Sequence, residues 1–248
     1  MGSCEVCKDG RVTHLLITTI IIKSKSNFEY DHHQYNLCEA PGDSMKVSKA
    51  QAAENRHAIV DAAAQLYRAR GLTGVGVADI TRDAGLTHGG LYRHFESKEA
   101  LAREACARAF DWSLLPNHDP GPASPTPEVA LARGIAHYLS IEHRDHPGDG
   151  CPVAALGVDV ARAGSALSTI FAQGVEHNIE RFARLLEGST EGPVSETSRE
   201  RAIPMLAAMV GALVIARATA QGNPALSEHI LASLRQHLIA PSPEPPAA

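Results

Sequence analysis

The sequence predicts an all-α protein of about nine helices, and two observations support this class. The 248 residues are 44% hydrophobic but only 4% aromatic, and they are rich in alanine, the residue with the highest helix propensity. Apolar residues also recur at steps of three and four, which places them on one face of a helix. The clearest such series is Phe171, Val175, Ile179, Phe182 and Leu186.

The first 44 residues differ from the rest, since residues 15–22 are β-prone and the segment after them has no helical period. No small-residue cleavage site follows this apolar stretch, which argues against a signal peptide. Cys4 and Cys7 have the spacing of zinc ligands, but no second pair stands at a matching interval. We expect residues 1–44 to be a disordered extension without a metal, and the helical chain to start after Met45.

Helix one is predicted at about residues 53–70. Its buried stripe consists of Ile59, Ala63, Leu66 and Tyr67. A short second helix follows. Its apolar face consists of Ala78, Ile80 and Ala84. Gly85 ends this helix, because only glycine enters the left-handed conformation without a steric penalty.

A third helix is predicted at residues 88–95, and Thr87 is a suitable N-cap because its hydroxyl can accept a hydrogen bond from the first turn. Leu91 and Phe95, four positions apart, form its buried side, so that the polar side chains face elsewhere. Two short helices joined by a tight turn are the pattern of a helix-turn-helix, whose second helix enters the major groove of DNA.

This region resembles the DNA-binding domain of the TetR/AcrR family of bacterial transcriptional regulators. The family's opening run, I-x-x-A-A-x-x-L-[FY]-x-x-x-G, is matched by Ile59, Ala62, Ala63, Leu66, Tyr67 and Gly71. Its closing run, L-Y-x-[HY]-F-x-[SN]-K-[ED]-x-L, is matched without a gap by Leu91, Tyr92, His94, Phe95, Ser97, Lys98, Glu99 and Leu101. The middle run departs at residues 75–77, which replace a small polar lead-in, and at Thr81, where alanine is more usual. The cap of the second helix must therefore come from elsewhere.

The resemblance implies which residues contact DNA. The phosphate-contacting set is Thr87, Tyr92, His94 and Lys98. His88 and Arg93 are the candidates for base edges, since arginine can contact guanine with two hydrogen bonds. Gly89 and Gly90 would let the helix backbone approach the groove, although each weakens a helix by about 1 kcal/mol relative to alanine. Two structural alternatives stay open: Tyr92 packed against helix one, and His94 as a partly buried core residue.

The remaining pattern predicts a second domain. Helix four begins after the N-cap Ser97 and reaches about Leu114, so that the helix-turn-helix DNA-binding domain covers residues 53–113. Residues 116–127 contain five prolines and form a connector. Residues 128–240 would form the C-terminal helical domain for effector binding and dimerisation, and residues 241–248 a disordered tail. Its helices are predicted at about 128–142, 153–163, 165–187, 199–221 and 225–239, with a loop at 143–152.

A homodimer made by the last two helices is implied by the resemblance. The sequence offers a small-residue surface for close helix packing: Ala207, Ala208, Gly211, Ala212, Ile215 and Ala216. Apolar area beside it comes from Met205, Met209 and Leu213. A helix buried within one chain would have the same pattern, which is the alternative. Two-fold symmetry of the dimer predicts a palindromic DNA operator.

An unidentified small-molecule effector is also implied, bound in the C-terminal domain. The candidate pocket residues are Tyr138, Phe171, Phe182 and Met209, each of which would otherwise be ordinary core. Cys151 precedes Pro152 at a predicted helix start, where the helix dipole would lower the thiol pKa and suit a sensor of oxidants or electrophiles. The alternative is a small buried residue. His137, His143 and His146 have too loose a spacing for a metal site with Cys151, and we expect no metal or cofactor.

Charge, composition and the absence of certain motifs argue against other classes of protein. The net charge is −5, but residues 45–104 carry nine Lys and Arg against seven Asp and Glu, a mildly basic head. No uninterrupted apolar run approaches the roughly 18 residues of a membrane span. A metal-dependent hydrolase lacks an HExxH, GxSxG or paired-carboxylate motif, and a helical ligand-binding scaffold leaves the Tyr92, His94 and Lys98 arrangement unexplained. Five cysteines without a framework indicate a reducing compartment. The sequence predicts a cytoplasmic, dimeric, ligand-responsive transcriptional repressor without enzymatic activity.

Overall fold

A computed structural model describes residues 48–114, 126–189 and 192–239. Within these ranges the chain is all-helical, with nine α-helices and two short 3-10 helices, which confirms the predicted class. The predictions for residues 1–44, for most of the proline-rich connector and for the tail at 241–248 lie outside the described residues.

The N-terminal half of the fold is a long helix followed by the helix-turn-helix. Its elements are α1 (Lys49–Arg70), α2 (Val77–Asp83), the 3-10 helix η1 (His88–Arg93) and α3 (Lys98–Ala109). The side chain of Ser48 caps α1 by accepting a hydrogen bond from the Gln51 amide at 3.1 Å. Ser97 caps α3 in the same way, as predicted, by accepting from the Ala100 amide at 3.0 Å. However, α3 ends at Ala109, earlier than expected.

The C-terminal half contains six α-helices and one 3-10 helix in the described residues. They are α4 (Pro127–Tyr138), α5 (Ile141–Asp145), the 3-10 helix η2 (Pro147–Asp149), α6 (Pro152–Ala163), α7 (Ser165–Glu187), α8 (Glu196–Thr219) and α9 (Pro224–Ile239). The helix predicted at 128–142 is broken in two, because Ser140 starts a new helix by accepting a hydrogen bond from the His143 amide at 3.0 Å. The predicted loop at 143–152 therefore holds the end of α5 and all of η2.

The apolar interior forms two clusters. The first cluster joins α1, η1 and α3 through Ile59, Leu91 and Leu101, and it also takes Leu156 from α6 and Leu167 from α7. The predicted stripe of α1 lies in this cluster, so that prediction is confirmed. The second cluster lies among α4, α7, α8 and α9. Because the first cluster takes side chains from α6 and α7, the N-terminal helices share their core with the following half of the chain.

One helix of the described residues, α8, is long and apolar enough to cross a membrane by length and composition alone. The sequence analysis missed it because the charge-free stretch at 202–216 is bounded by Arg201 and Arg217. A core or interface helix of a water-soluble protein meets the same criterion. Met209 and Leu213 on α8 are fully buried in the second cluster, so one face of this helix already packs against protein.

Candidate nucleic-acid interface and effector cavity

The turn between α2 and η1 has the predicted geometry. Gly85 adopts φ +69°, the left-handed conformation that ends α2, and the Leu86 amide donates to the Thr81 carbonyl at 2.8 Å. Leu91 and Phe95 are buried as predicted and fix η1 on the first cluster. The Arg56 guanidinium lies over the Phe95 ring, 4.7 Å from its centre. Among the described residues, these contacts hold the inner side of the helix-turn-helix.

The N-terminal cap of α2 is supplied by a residue within the helix. The Asp79 carboxylate accepts a hydrogen bond from the Gly76 amide at 3.1 Å and a second from Arg82 at 2.6 Å. Together these bonds lower the pKa of Asp79, the backbone bond contributing most. Asp79 thus supplies the cap that the sequence analysis left unassigned.

Two details of the predicted third helix, at residues 88–95, were wrong. Thr87 occupies the N-cap position, but its side chain makes no capping hydrogen bond, and residues 88–93 form a 3-10 helix in place of an α-helix at 88–95. The i→i+3 bonds are visible where the Gly90 amide donates to Thr87 and the His94 amide to Leu91, both at 2.9 Å. The adjacent glycines 89 and 90 weaken the α-helical conformation here.

The predicted DNA-contacting residues differ in exposure. Tyr92 is 57% exposed, which excludes its packing against α1 as a core residue. Thr87, Gly89 and Arg93 are also exposed, whereas Gly90 and His94 are half-buried. For His88 the structure describes the backbone alone. A Cβ atom at Gly89 would meet nothing within 4 Å, so nothing in the described chain requires glycine there.

Lys98 has an intramolecular role that the sequence analysis did not predict. Its ammonium group donates to the Val75 carbonyl at 2.6 Å and so ties the start of α3 to the segment before α2. An ammonium group has three donors, so this bond is compatible with a phosphate contact. The assignment of Lys98 to phosphate stays a prediction.

The N-terminal helices are joined to the C-terminal half by hydrogen bonds at the end of α1. Arg68 donates to the Gly148 carbonyl of η2 at 2.7 Å and to the Ala109 carbonyl at 3.3 Å. The Leu72 amide donates to the Asp159 carboxylate of α6 at 2.8 Å. A Cβ atom at Gly148 would lie 3.2 Å from the Gln65 side chain, which shows how closely η2 approaches α1.

A cavity of about 310 Å³ lies in the C-terminal half. It is lined by Trp112, Ser113, Leu114, Tyr138, Cys151, Asn178, Arg181, Phe182, Arg184, Leu185, Ser189, Leu206 and Met209. Four of the five predicted effector residues are among them. The fifth, Phe171, packs edge-on against Phe110 in the first cluster, with ring centres 5.3 Å apart, so its placement in the pocket was wrong.

His143 contacts three residues that line this cavity. Its Nε2 accepts a hydrogen bond from the Cys151 amide at 2.9 Å, and its Nδ1 donates to the Tyr138 carbonyl at 2.7 Å. The Trp112 ring stacks on the imidazole at 5.3 Å. Burial lowers the pKa of His143 to about 4, so the ring is neutral at pH 7. Both ring nitrogens therefore bond to backbone groups, which leaves neither of them for a metal.

Cys151 was predicted to have a lowered pKa, and the structure contradicts this. The residue is fully buried, and burial raises the thiol pKa against the opposing hydrogen bonds with the Tyr138 hydroxyl and with the backbone at the start of α6. Burial also raises the pKa of the neighbouring Tyr138 well above its usual value. Both groups keep their protons at pH 7, so the cavity wall contains no thiolate of the kind that reacts readily with electrophiles.

The predicted small-residue surface is only partly exposed. Ala208, Gly211, Ala212 and Ile215 line a shallow apolar groove between α8 and α9. Ala212 and Ala216 are buried within the chain, as the alternative required, whereas Ile215 is 52% exposed. Met209 and Leu213, expected beside the surface, point into the second cluster. The part of α8 that faces outward is centred on Ala208 and Ile215.

Comparison with known proteins matches residues 59–105 to the family described as bacterial regulatory proteins, tetR family. The matched segment runs from the buried stripe of α1, through the helix-turn-helix, into α3, the same region that carries the sequence resemblance.

The chain is also similar to individual repressors. It is 33% identical to the HTH-type transcriptional repressor KstR2 of Mycolicibacterium smegmatis over 97 residues, 38% of this chain and 47% of that protein. It is 45% identical to KstR2 of Rhodococcus jostii over 138 residues, 55% of this chain and 58% of that protein. The matched regions thus span about half the length of these relatives.

Solved structures extend the likeness of fold to most of the chain. A TetR transcriptional regulator from Legionella pneumophila has a TM-score of 0.57 at 20% identity, covering 79% of this chain and 97% of that one. The reduced form of NemR from E. coli has a TM-score of 0.53 at 21% identity, covering 73% and 95%. At these identities the likeness is one of fold.

Several cavity residues were missed from sequence. Asn178 and Leu185 lie four and three residues from Phe182 on α7, so helical periodicity alone would have placed them on the same face. Arg181 is adjacent to Phe182 in the sequence, and its place in the cavity wall depends on how α7 packs against its neighbours. No comparable signal exists for Trp112, which follows the end of α3.

Proposed function

We propose that this chain is a sequence-specific DNA-binding transcriptional repressor, released from a palindromic operator by a small-molecule effector. The observation that carries the proposal is the geometry of η1. Leu91 and Phe95 bury one side of it, while Tyr92 and Arg93 extend outward from the other. Aromatic hydroxyl and guanidinium groups on such a surface suit a DNA backbone and a guanine edge.

Within this proposal the outward-facing residues have different tasks. Thr87, Tyr92, His94 and Lys98 would contact phosphates and set the register of the protein on DNA without reading its sequence. Arg93 and His88 would read base edges. Gly89 and Gly90 would allow the backbone of η1 to approach the groove.

Binding by two copies follows from the small size of one reading head, which contacts only a few base pairs. We propose a homodimer formed by α8 and α9, because Ala208 and Ile215 leave apolar surface exposed there in the single chain. A two-fold dimer carries two heads, which fits a palindromic operator. No catalytic group is needed for this activity and we propose none. The site of action would be the bacterial cytoplasm, where the DNA is.

The effector would act from the cavity through the junction at α1. Cys151 lines the cavity and precedes α6, and Asp159 of α6 accepts a hydrogen bond from the amide of Leu72, two residues after the end of α1. A ligand that favours one arrangement of this junction over another shifts the DNA-binding equilibrium by that difference in affinity, typically about 1–3 kcal/mol.

The test is selection of binders from a random duplex pool by the full chain at fixed salt. We expect enrichment of a palindrome whose half-sites lie one helical turn or slightly more apart. The matched variants are Tyr92→Ala, expected to weaken binding to all duplexes alike, and Arg93→Ala, expected to blur the preference at one position of each half-site. Folded, dimeric protein that enriches no sequence would refute the proposal.

A further inference from the structure

The cavity described above combines apolar walls with an unusual set of polar groups. Phe182, Leu185, Leu206 and Met209 supply the apolar surface. Two arginines also line it, and none of its lining residues in the described ranges is acidic. Its volume of about 310 Å³ lies near the lower end of the range for small-molecule sites, about 300–1,000 Å³.

Tyr138 places a poorly matched donor in this cavity. The residue is 0% exposed, and its hydroxyl has no oxygen or nitrogen partner among the described residues. The group that interacts with it is the Cys151 thiol, and sulfur is a weak hydrogen-bond acceptor. Because burial keeps the phenol protonated, a ligand oxygen would be a stronger acceptor for this donor.

The cations near Tyr138 bond to neutral groups. Arg181 donates to the Trp112 carbonyl at 3.0 Å and to the Ser113 hydroxyl at 3.1 Å. Arg217 donates to the carbonyls of Arg144 and His143, and its third nitrogen is buried with no partner among the described residues. Arg217 also lies close enough to Tyr138, Cys151 and the Asp145 carboxylate to interact with them electrostatically. In contrast, Arg184 is paired with Glu180 at 3.5 Å.

None of the described residues that line the cavity carries a negative charge, since Cys151 and Tyr138 stay protonated. The neighbouring His143 is neutral. We propose that the cavity binds a compact monocarboxylate whose single apolar group is aromatic or branched aliphatic. A carboxylate oxygen accepts the hydrogen bond from Tyr138, and Arg181 and Arg217 stabilise the charge. The apolar group packs against Phe182, Leu206 and Met209. This ligand class gives chemical identity to the effector and, in that role, rests on the proposed function.

Trp112 makes the test direct, because it is the single tryptophan of the chain and lines the cavity. The full chain is titrated with phenylacetate, 4-phenylbutyrate and 4-methylpentanoate, and separately with the matching primary amides, while tryptophan fluorescence is recorded. We expect at least one carboxylate to give a saturable change and its neutral amide to bind at least tenfold more weakly. Equal affinity for acid and amide, or no response to any of the three acids, would overturn the proposal.

Two matched variants place the effect at the cavity. Tyr138→Phe removes the hydroxyl alone and is expected to weaken carboxylate binding tenfold or more. Tyr67→Phe removes another buried phenol hydroxyl without a hydrogen-bond partner among the described residues, in the first cluster and outside this cavity, and is expected to leave binding unchanged. Circular dichroism checks that both variants fold. Identical affinities for the two variants would overturn the assignment of Tyr138.

The ligand titration and the DNA selection can fail independently of each other. A chain that selects a palindrome but binds none of the acids keeps the proposed function and loses this ligand class. A chain that binds an acid with the expected variant response but selects no DNA keeps the ligand class and loses the proposed function.

Discussion

Gly85 and Gly89 both belong to the helix-turn-helix, but the backbone requires glycine at only one of them. Gly85 has φ +69°, whereas a Cβ at Gly89 would meet nothing within 4 Å of the described chain. Gly85→Ala should therefore lower the free energy of unfolding by about 1–2 kcal/mol. Gly89→Ala should leave it unchanged or raise it by up to about 1 kcal/mol.

For DNA binding, Gly89→Ala is expected to be the more damaging of the two substitutions. If Gly89 is kept for close approach to the groove, Gly89→Ala should cost about 1–3 kcal/mol of operator affinity, the size of a lost base contact. Urea unfolding and a binding titration on the selected operator measure the two effects. Wild-type operator affinity in Gly89→Ala would show that the backbone of η1 does not approach the groove closely at this residue.

His143 predicts a pH dependence of stability. Its pKa is about 4 in the folded chain against the usual 6.5, so between these values the unfolded chain binds more protons. Stability should therefore fall as the pH drops from 6.5 towards 4, by at most about 3 kcal/mol from this residue. Carboxyl groups with lowered pKa, such as those of Asp145 and Glu187, lose their contribution mainly below that window.

The matched variant for this effect is His143→Gln, which cannot gain a proton in this range. Urea midpoints measured at several values between pH 4 and 7 should fall less steeply in the variant than in the wild-type chain. Parallel curves would show that His143 is not the group responsible.

Helix α7 shows how far sequence could predict these elements. Its periodicity gave the correct bounds and the correct buried face, but the helix is 23 residues long and reaches both apolar clusters. Phe171 therefore lies in the first cluster and Phe182 in the second. A repeat of three and four residues identifies the buried face and says nothing about which neighbour covers it.

Local signals were reliable where a side chain or a glycine marks the end of a helix. Ser97 and Gly85 act as predicted because caps and left-handed turns depend on adjacent residues. The break after α4 was missed because Ser140 could equally have stood within a helix. The cavity arginines were missed because their role depends on burial, which only the packing of several helices determines.

The hydrogen bonds between α1 and η2 predict a variant that separates ligand binding from DNA release. Arg68→Met keeps the apolar stem but removes the bonds to Gly148 and Ala109. It should lower stability by about 1.5–3 kcal/mol, as expected for bonds from a charged group. It should also leave ligand affinity unchanged while reducing ligand-induced release of DNA.

Arg70→Met is the control for this variant, because it removes an arginine from the same helix. The Arg70 guanidinium is half exposed, and it lies 3.9 Å from the Asp79 carboxylate of α2. Its release of DNA should match that of the wild-type chain. Full release by Arg68→Met would show that the hydrogen bonds of Arg68 do not carry the coupling.

The exposed apolar face of α8 makes a prediction for the assembled protein. Large apolar side chains left exposed on a single chain are often covered by a partner, and Ile215 is 52% exposed beside the small residues Ala208 and Gly211. A charge at this position would be desolvated in a dimer interface but would stay hydrated in a monomer. Ile215→Glu should therefore give a folded monomer with much reduced operator affinity.

Val158 provides the matched control, since it is 60% exposed on α6, away from the α8–α9 groove. Val158→Glu introduces the same charge and should remain dimeric. Sedimentation velocity gives the assembly state of each variant, and circular dichroism confirms folding. Because a palindrome needs two heads held together, loss of the dimer and loss of operator affinity should coincide. A dimeric Ile215→Glu with wild-type affinity would place the interface on another surface.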